Sequence, residues 1–187
     1  IIDSIEKNNL AAEISLILSN VPDAYALQRG KKHRLESIFL DPKSFSSRDD
    51  YEKQMIELLQ TKSIDLVCLA GFMRILGKKF IEAFSGKIIN IHPSLLPAFP
   101  GLNVQEKALQ HGVRFSGCTV HFVNEEVDGG AIISQAVVPI LDADDTQSLS
   151  DRILEQEHII YPEAIRLIIE DRLEFSGRRV VRKTRGN

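Results

Sequence analysis

Residues 64–91 read Ile-Asp-Leu-Val-Cys-Leu-Ala-Gly-Phe-Met-Arg-Ile-Leu-Gly-Lys-Lys-Phe-Ile-Glu-Ala-Phe-Ser-Gly-Lys-Ile-Ile-Asn-Ile. The stretch opens on a nearly continuous apolar run, 64–70, as a strand covered on both faces requires. A helical pattern follows over 73–84 and ends at Gly86, and a second buried strand occupies 87–91. Strand, helix and strand in this order form a βαβ unit, which implies parallel strands.

Working outward, the same alternation continues in both directions. Toward the start, 14–18 and 37–40 read as short strands, and 23–32 and 48–61 as helices. Tyr51, Met55, Leu58 and Leu59 line one face of the second helix, and Ser47 with Asp50 resembles a capping box at its start. Toward the end, 103–111 reads as a helix, 117–123 and 131–139 as strands, and 148–170 as a long helix that Pro162 should kink or restart. The expected fold is α/β: a doubly wound, mostly parallel sheet with helices on both faces. Residues 1–9 look like the end of a helix, so a first strand and turn are expected to precede Ile1. Ligands of such sheets sit beyond the carboxyl ends of the strands, which directs attention to the segments after 18, 40, 70, 91 and 123.

Composition narrows the function classes. The chain has 187 residues, 43% of them hydrophobic and 26% charged, which fits a single domain, 1–187. Net charge is −3, so nothing favours a nucleic-acid partner. No apolar run approaches the roughly 18 residues of a membrane span. The two cysteines, Cys68 and Cys118, lie far apart and form no CxxC, against a disulfide scaffold or zinc module. With no signal sequence in view, a cytoplasmic protein is expected.

Three segments carry candidate chemistry. In Asn90-Ile91-His92-Pro93, a buried strand ends in two polar residues that point the same way, because residues two apart share a strand face. The prolines at 93, 97 and 100 stiffen the loop that follows, with Leu96-Pro97 the expected cis bond. An amide donor beside a protonated imidazole suits a developing oxyanion, although the same pair also serves merely to satisfy a strand end. In 119–130, Asp128-Gly129-Gly130 is ordinary hairpin chemistry, yet Asp128 could also supply a carboxylate that favours the imidazolium of His92. His121 reads as a hydrogen-bonded strand histidine. A metal site on His92, His121 and Asp128 is not compelled by spacing, so no metal is expected. In 69–76, Gly71 permits a tight turn, and Phe72, Met73, Ile75 and Leu76 offer an apolar wall for a flat heterocycle, or simply the first turn of a core helix. No GxGxxG or GxxxxGK[ST] is present, which disfavours a nucleotide held by those loops.

Taken together, Ala-Gly-Phe-Met-Arg-Ile-Leu (70–76), Ile-Asn-Ile-His-Pro-Ser-Leu-Leu-Pro (89–97), Val-His-Phe-Val with Val-Asp-Gly-Gly (120–130) and Gln-Glu-His-Ile-Ile-Tyr-Pro (156–162) resemble the folate-dependent phosphoribosylglycinamide formyltransferase family, in the family's order and over nearly the whole chain. The resemblance implies a Rossmann-like formyltransferase fold and transfer of the formyl group of 10-formyltetrahydrofolate, a co-substrate, to the amine of glycinamide ribonucleotide in purine biosynthesis. It places catalysis on Asn90, His92 and Asp128. It places the folate against Arg48, Met73, Arg74, Ile75, Leu76, Asn90, Asn124, Glu125, Glu126, Val127 and Asp128, and the ribonucleotide against Pro93 and Glu157. It implies small-molecule partners only, and a monomer or homodimer. Two departures stand out. The family's Gly-Asn-Gly-Ser-Asn phosphate loop does not occur, and a polar contact three residues before Glu157 is replaced by Leu154. The alternatives are a formyltetrahydrofolate deformylase, with water as acceptor, and a non-catalytic folate-binding domain. All three of Asn90, His92 and Asp128 argue against the latter.

Overall fold

The computed structural model describes residues 1–183. Helix α1 (Ile2–Glu6) is followed by β1 (Ile17–Ser19), α2 (Tyr25–Lys32), β2 (Ser37–Phe39), a short 3₁₀ turn, α3 (Arg48–Thr61) and β3 (Val67–Leu69). Then come α4 (Lys78–Ala83), β4 (Ile88–His92), α5 (Val104–Gln110), β5 (Phe115–Phe122), β6 (Ile132–Pro139), α6 (Thr146–Ile169) and a terminal hairpin of β7 (Leu173–Ser176) and β8 (Arg179–Arg182). The principal sheet has the order β3-β4-β5-β6, and β1-β2 and β7-β8 form separate two-stranded sheets. The parallel pairs are β1 with β2 and β3 with β4, whereas β5 runs antiparallel to both β4 and β6.

Two of the helix expectations need correction. The 73–84 pattern becomes a helix only from Lys78; residues 72–77 are a loop. The carboxylate of Glu52, reaching across from α3, accepts the Gly77 N–H at 3.0 Å. Gly77 then caps α4 in an extended conformation. A Cβ at Gly77 would fall 2.3 Å from that carboxylate, so the close approach needs glycine. Pro162 does not end α6, which runs unbroken from Thr146 to Ile169. Its missing N–H falls beside His158, Ile159 and Glu163, which line a shallow surface depression with Pro162. The cap expected at Ser47 is present, and α6 starts two residues earlier than expected, on a cap the sequence reading did not name. Ser47 accepts the Asp50 N–H at 3.1 Å, and Asp145 and Ser148 close a reciprocal capping box on α6.

The strand period of two sorts side chains to opposite faces of the sheet. From β4, Ile89 and Ile91 join Cys118, Val120 and Phe122 of β5 and Val138 of β6 in one core. Leu149, Ile153, Ile160, Tyr161, Ala164 and Ile165 of α6 cover it. Ile88 points the other way, into a second core with Tyr51, Met55 and Leu59 of α3 and Phe80 and Phe84. The alternate residues Asn90 and His92 share that face with Ile88. Tyr161 ties the layers together, its hydroxyl donating to the Leu69 carbonyl at 2.7 Å from inside the core. Tyr161→Phe removes that bond from the core, and urea unfolding should show a loss of about 1 kcal/mol with the fold intact.

Candidate active site

Cross-strand register sets the polar row. On β4 and β5, Asn90 pairs with His121 and His92 with Thr119; Thr119 in turn pairs with Gln135 on β6. All five lie on one face. The first four are covered by two loops, 93–103 after β4 and 123–131 between β5 and β6. His92, Thr119 and His121 are buried.

Asp128 enters from the second loop. Its carboxylate lies 3.6 Å from His92 Nδ1 and 3.8 Å from His121 Nε2, and it accepts the Gly101 N–H at 2.8 Å. Asp128 adopts a left-handed backbone, φ 53°, a region asparagine and aspartate tolerate better than most residues. Two residues on, Gly130 packs so tightly that a Cβ would sit 1.7 Å from the Phe122 carbonyl oxygen. The Asp-Gly-Gly run is therefore both a hairpin connection and the device that aims the carboxylate.

Hydrogen-bond partners fix the tautomers. His92 Nε2 lies 3.0 Å from the Phe99 carbonyl oxygen. A carbonyl only accepts, so Nε2 carries a hydrogen and Nδ1 is the nitrogen that faces Asp128. His121 Nδ1 donates to the Phe122 carbonyl at 2.8 Å. Its Nε2 then accepts the Asn90 amide N–H at 3.2 Å. Burial lowers the His121 pKa, the Phe122 carbonyl and Asp128 opposing it, which favours the neutral ring that can accept this bond. Asn90 is thereby oriented with its second amide hydrogen unused. The arrangement presents a free N–H donor, an imidazole and a carboxylate within one cluster, which can stabilise an oxyanion and move a proton.

The other residues read from the sequence divide into two groups. Loop 72–77 lies near α3: Arg48 donates to the Ile75 carbonyl at 2.5 Å and to Glu52 at 2.7 Å, and Arg74 stacks 5.4 Å over the Tyr51 ring. Met73 and Ile75 are exposed, whereas Leu76 is buried in the α3 core. In loop 123–131, Asn124 accepts the Glu126 N–H, Glu125 pairs with Lys78, Glu126 pairs with Arg178, and Val127 is exposed. Pro93 follows His92 directly. Glu157 is not joined to the Asn90–His92–Asp128 cluster. It stands on α6, on the other face of the sheet, where burial pushes its carboxyl up to about 7. Its charge adds to the burial that pushes the Cys118 thiol up to about 12.

Several contributors escape a sequence reading. Glu52 is the clearest: it holds both Arg48 and Gly77, and its only signal is the i,i+4 spacing to Arg48. The Phe99 carbonyl and the Gly101 amide are backbone groups with no side-chain signature. Among the described residues, Asp3, Glu6 and His33 could share a metal ion, but the Arg29 guanidinium already binds Asp3.

The family model described as formyl transferase matches residues 1–165. The chain belongs to the formyl transferase family. It is 44% identical over 175 residues to the phosphoribosylglycinamide formyltransferase of Haemophilus influenzae, covering 94% of this chain and 82% of that protein. It is 47% identical over 158 residues to the trifunctional purine biosynthetic protein adenosine-3 of Drosophila melanogaster, which covers 84% of this chain but spans only 12% of that much longer protein. Among solved structures, glycinamide ribonucleotide transformylase 1 from Symbiobacterium toebii superposes with a TM-score of 0.95 at 47% identity, over 97% of this chain and 86% of that one. Within this formyl transferase, no helix among the described residues is long and apolar enough to cross a membrane.

Glu157 yields a pH prediction. Its folded-state pKa is raised above the ordinary carboxylate value of 4.5. The unfolded chain therefore loses this proton first as pH rises, and stability falls between about pH 4.5 and 7 and is level beyond. Glu157→Gln should be more stable than the parent at pH 8, by about 3 kcal/mol at most, and little different at pH 4. Thermal melts across that range check both the sign and the window.

Proposed function

We propose that this chain transfers the formyl group of 10-formyltetrahydrofolate to the amine of glycinamide ribonucleotide. The observation that carries the reading is the convergence of Asn90, His92 and Asp128 at the carboxyl end of β4, in a formyl transferase whose relatives include a phosphoribosylglycinamide formyltransferase. The chain acts as one formyltransferase domain on small-molecule substrates in the cytoplasm.

The amine nitrogen attacks the formyl carbon, forming a C–N bond and a tetrahedral oxyanion. The unused N–H of Asn90 and the imidazolium of His92 face that charge, and in a water-poor site such donors contribute much of the rate. Asp128 places its carboxylate 3.6 Å from Nδ1, on the side of the ring through which a proton moves. Because Nε2 is committed to the Phe99 carbonyl, proton traffic runs through Nδ1, directly or by one water. The attacking amine loses a proton and the folate nitrogen gains one as its bond to the formyl carbon breaks. No covalent enzyme intermediate is required.

The folate lies along the exposed Met73 and Ile75, with Arg74 and Leu76 in the same wall, Arg48 bracing the loop from behind, and Asn124, Glu125, Glu126 and Val127 on the opposite side. The ribonucleotide approaches past Pro93, with Glu157 contacting its sugar. Holding the two substrates together removes much of the entropic barrier.

The test follows tetrahydrofolate release by absorbance, with and without glycinamide ribonucleotide. Release that depends on the ribonucleotide, and that falls by about 10²-fold or more in His92→Ala, is the expected result. Release without the ribonucleotide identifies water as the acceptor and a deformylase. No release from the folded chain overturns the reading.

A further inference from the structure

Beyond the reacting groups, the site contains a row of hydrogen bonds that ends on the backbone of the loop after β4. Thr119, fully buried between His92 and Gln135 in the cross-strand row, donates from Oγ1 to the Ser94 carbonyl at 2.7 Å. The same oxygen accepts the Leu96 N–H at 3.0 Å and the Gln135 amide at 2.9 Å. A hydroxyl has one hydrogen and two lone pairs, so Thr119 is used completely. Gln135 sends its other amide hydrogen to the Leu96 carbonyl at 2.9 Å. Two side chains thus satisfy three backbone groups that a proline-rich loop cannot pair internally.

The loop so held returns to the reacting groups twice. Ser94 Oγ donates to the Ala98 carbonyl at 2.6 Å. The next carbonyl, Phe99, accepts from His92 Nε2, and the Gly101 N–H reaches Asp128. Phe99 itself sits at φ 50°, a left-handed conformation that costs a non-glycine residue roughly 1 kcal/mol or more. Such a residue keeps its geometry only if its flanks are held. Upstream, the holding groups are Ser94, Thr119 and Gln135.

We propose that Thr119 and Gln135 are positioning residues for formyl transfer: by fixing the 94–101 loop they decide which ring nitrogen of His92 carries the hydrogen when the ring is neutral. With the Phe99 carbonyl in place, neutral His92 carries its hydrogen on Nε2 and presents the Nδ1 lone pair beside Asp128. With the loop released, the Nδ1–H tautomer becomes accessible and its lone pair points into the protein, where no substrate reaches it. This inference rests on the proposed reaction for its kinetic consequence, but the tautomer itself is a property of the protein alone.

The test uses the full chain with ¹⁵N-labelled histidine and three variants, Thr119→Val, Thr119→Ser and Gln135→Leu. Nitrogen NMR of the His92 ring, read at a pH high enough for the ring to be neutral, should show the Nε2–H tautomer in the parent and in Thr119→Ser. A mixture of tautomers should appear in Thr119→Val. In the transferase assay kcat of Thr119→Val should fall about 10²-fold, the cost of a misplacement of roughly 1 Å. KM for either substrate should change little, and Thr119→Ser should restore most of kcat. Gln135 lies nearer the surface and its loss should act in the same direction to a smaller extent. If Thr119→Val does not fold, Gln135→Leu decides. A folded variant of either kind that keeps both the parent tautomer and the parent kcat overturns the proposal. A parent chain without transferase activity overturns the proposed reaction instead, and the ring-nitrogen spectra still decide the tautomer.

Discussion

The antiparallel pairing of β4 with β5 is the constraint from which the site follows. Its register places Ile89 opposite Phe122 and Ile91 opposite Val120, so those four side chains face α6 together. The same register sends Asn90, His121, His92 and Thr119 to the other face as a block. A slip of one residue would bury the polar block under α6 and expose the aliphatic one. Burial of the apolar set, at roughly 1.5–3 kcal/mol for each large side chain, therefore enforces the alignment of the polar set. Stability and chemistry are specified by one pattern read on its two faces.

Backbone groups complete what that pattern begins. Alternation brings Asn90 and His92 to one face but does not orient an amide or choose an imidazole tautomer. The Phe122 carbonyl settles the tautomer of His121, His121 orients Asn90, and the Phe99 carbonyl settles the tautomer of His92. Both tautomers are chosen by a hydrogen bond donated to a carbonyl oxygen, which can only accept, and Asn90 is oriented by donating to the ring nitrogen that the first choice leaves free. On the far side of the site, Glu52 and Arg48 of α3 hold loop 72–77 open as an apolar wall instead of letting it wind into α4.

How much of this was legible depended on the range of the interaction. The strand at 88–92 and the common direction of Asn90 and His92 follow from a period of two, and were readable from nine residues. The cap at Ser47 and the long helix read over 148–170 are equally local. The start of α4 was not, because Met73 to Gly77 have a helical pattern, and only a carboxylate 25 residues away in sequence prevents the first turn. Nor was the continuity of α6 through Pro162, whose lost hydrogen bond lies at the surface beside His158. The antiparallel turn of the sheet at β5 was hinted at by Asp128-Gly129-Gly130, whose hairpin chemistry and whose carboxylate turned out to be compatible. Thr119 and Gln135 carried no signal, because what they recognise is main chain.

The most direct test of the account is a crystal structure of the chain with a non-transferable formyl-folate analogue and glycinamide ribonucleotide. The account predicts the formyl oxygen about 3 Å from Asn90 Nδ2, the ring system against Met73 and Ile75, and His92 Nε2 still bonded to the Phe99 carbonyl. An analogue seated instead in the cleft between Phe122, Phe175 and Arg178, or a formyl group out of reach of both Asn90 and His92, would contradict it.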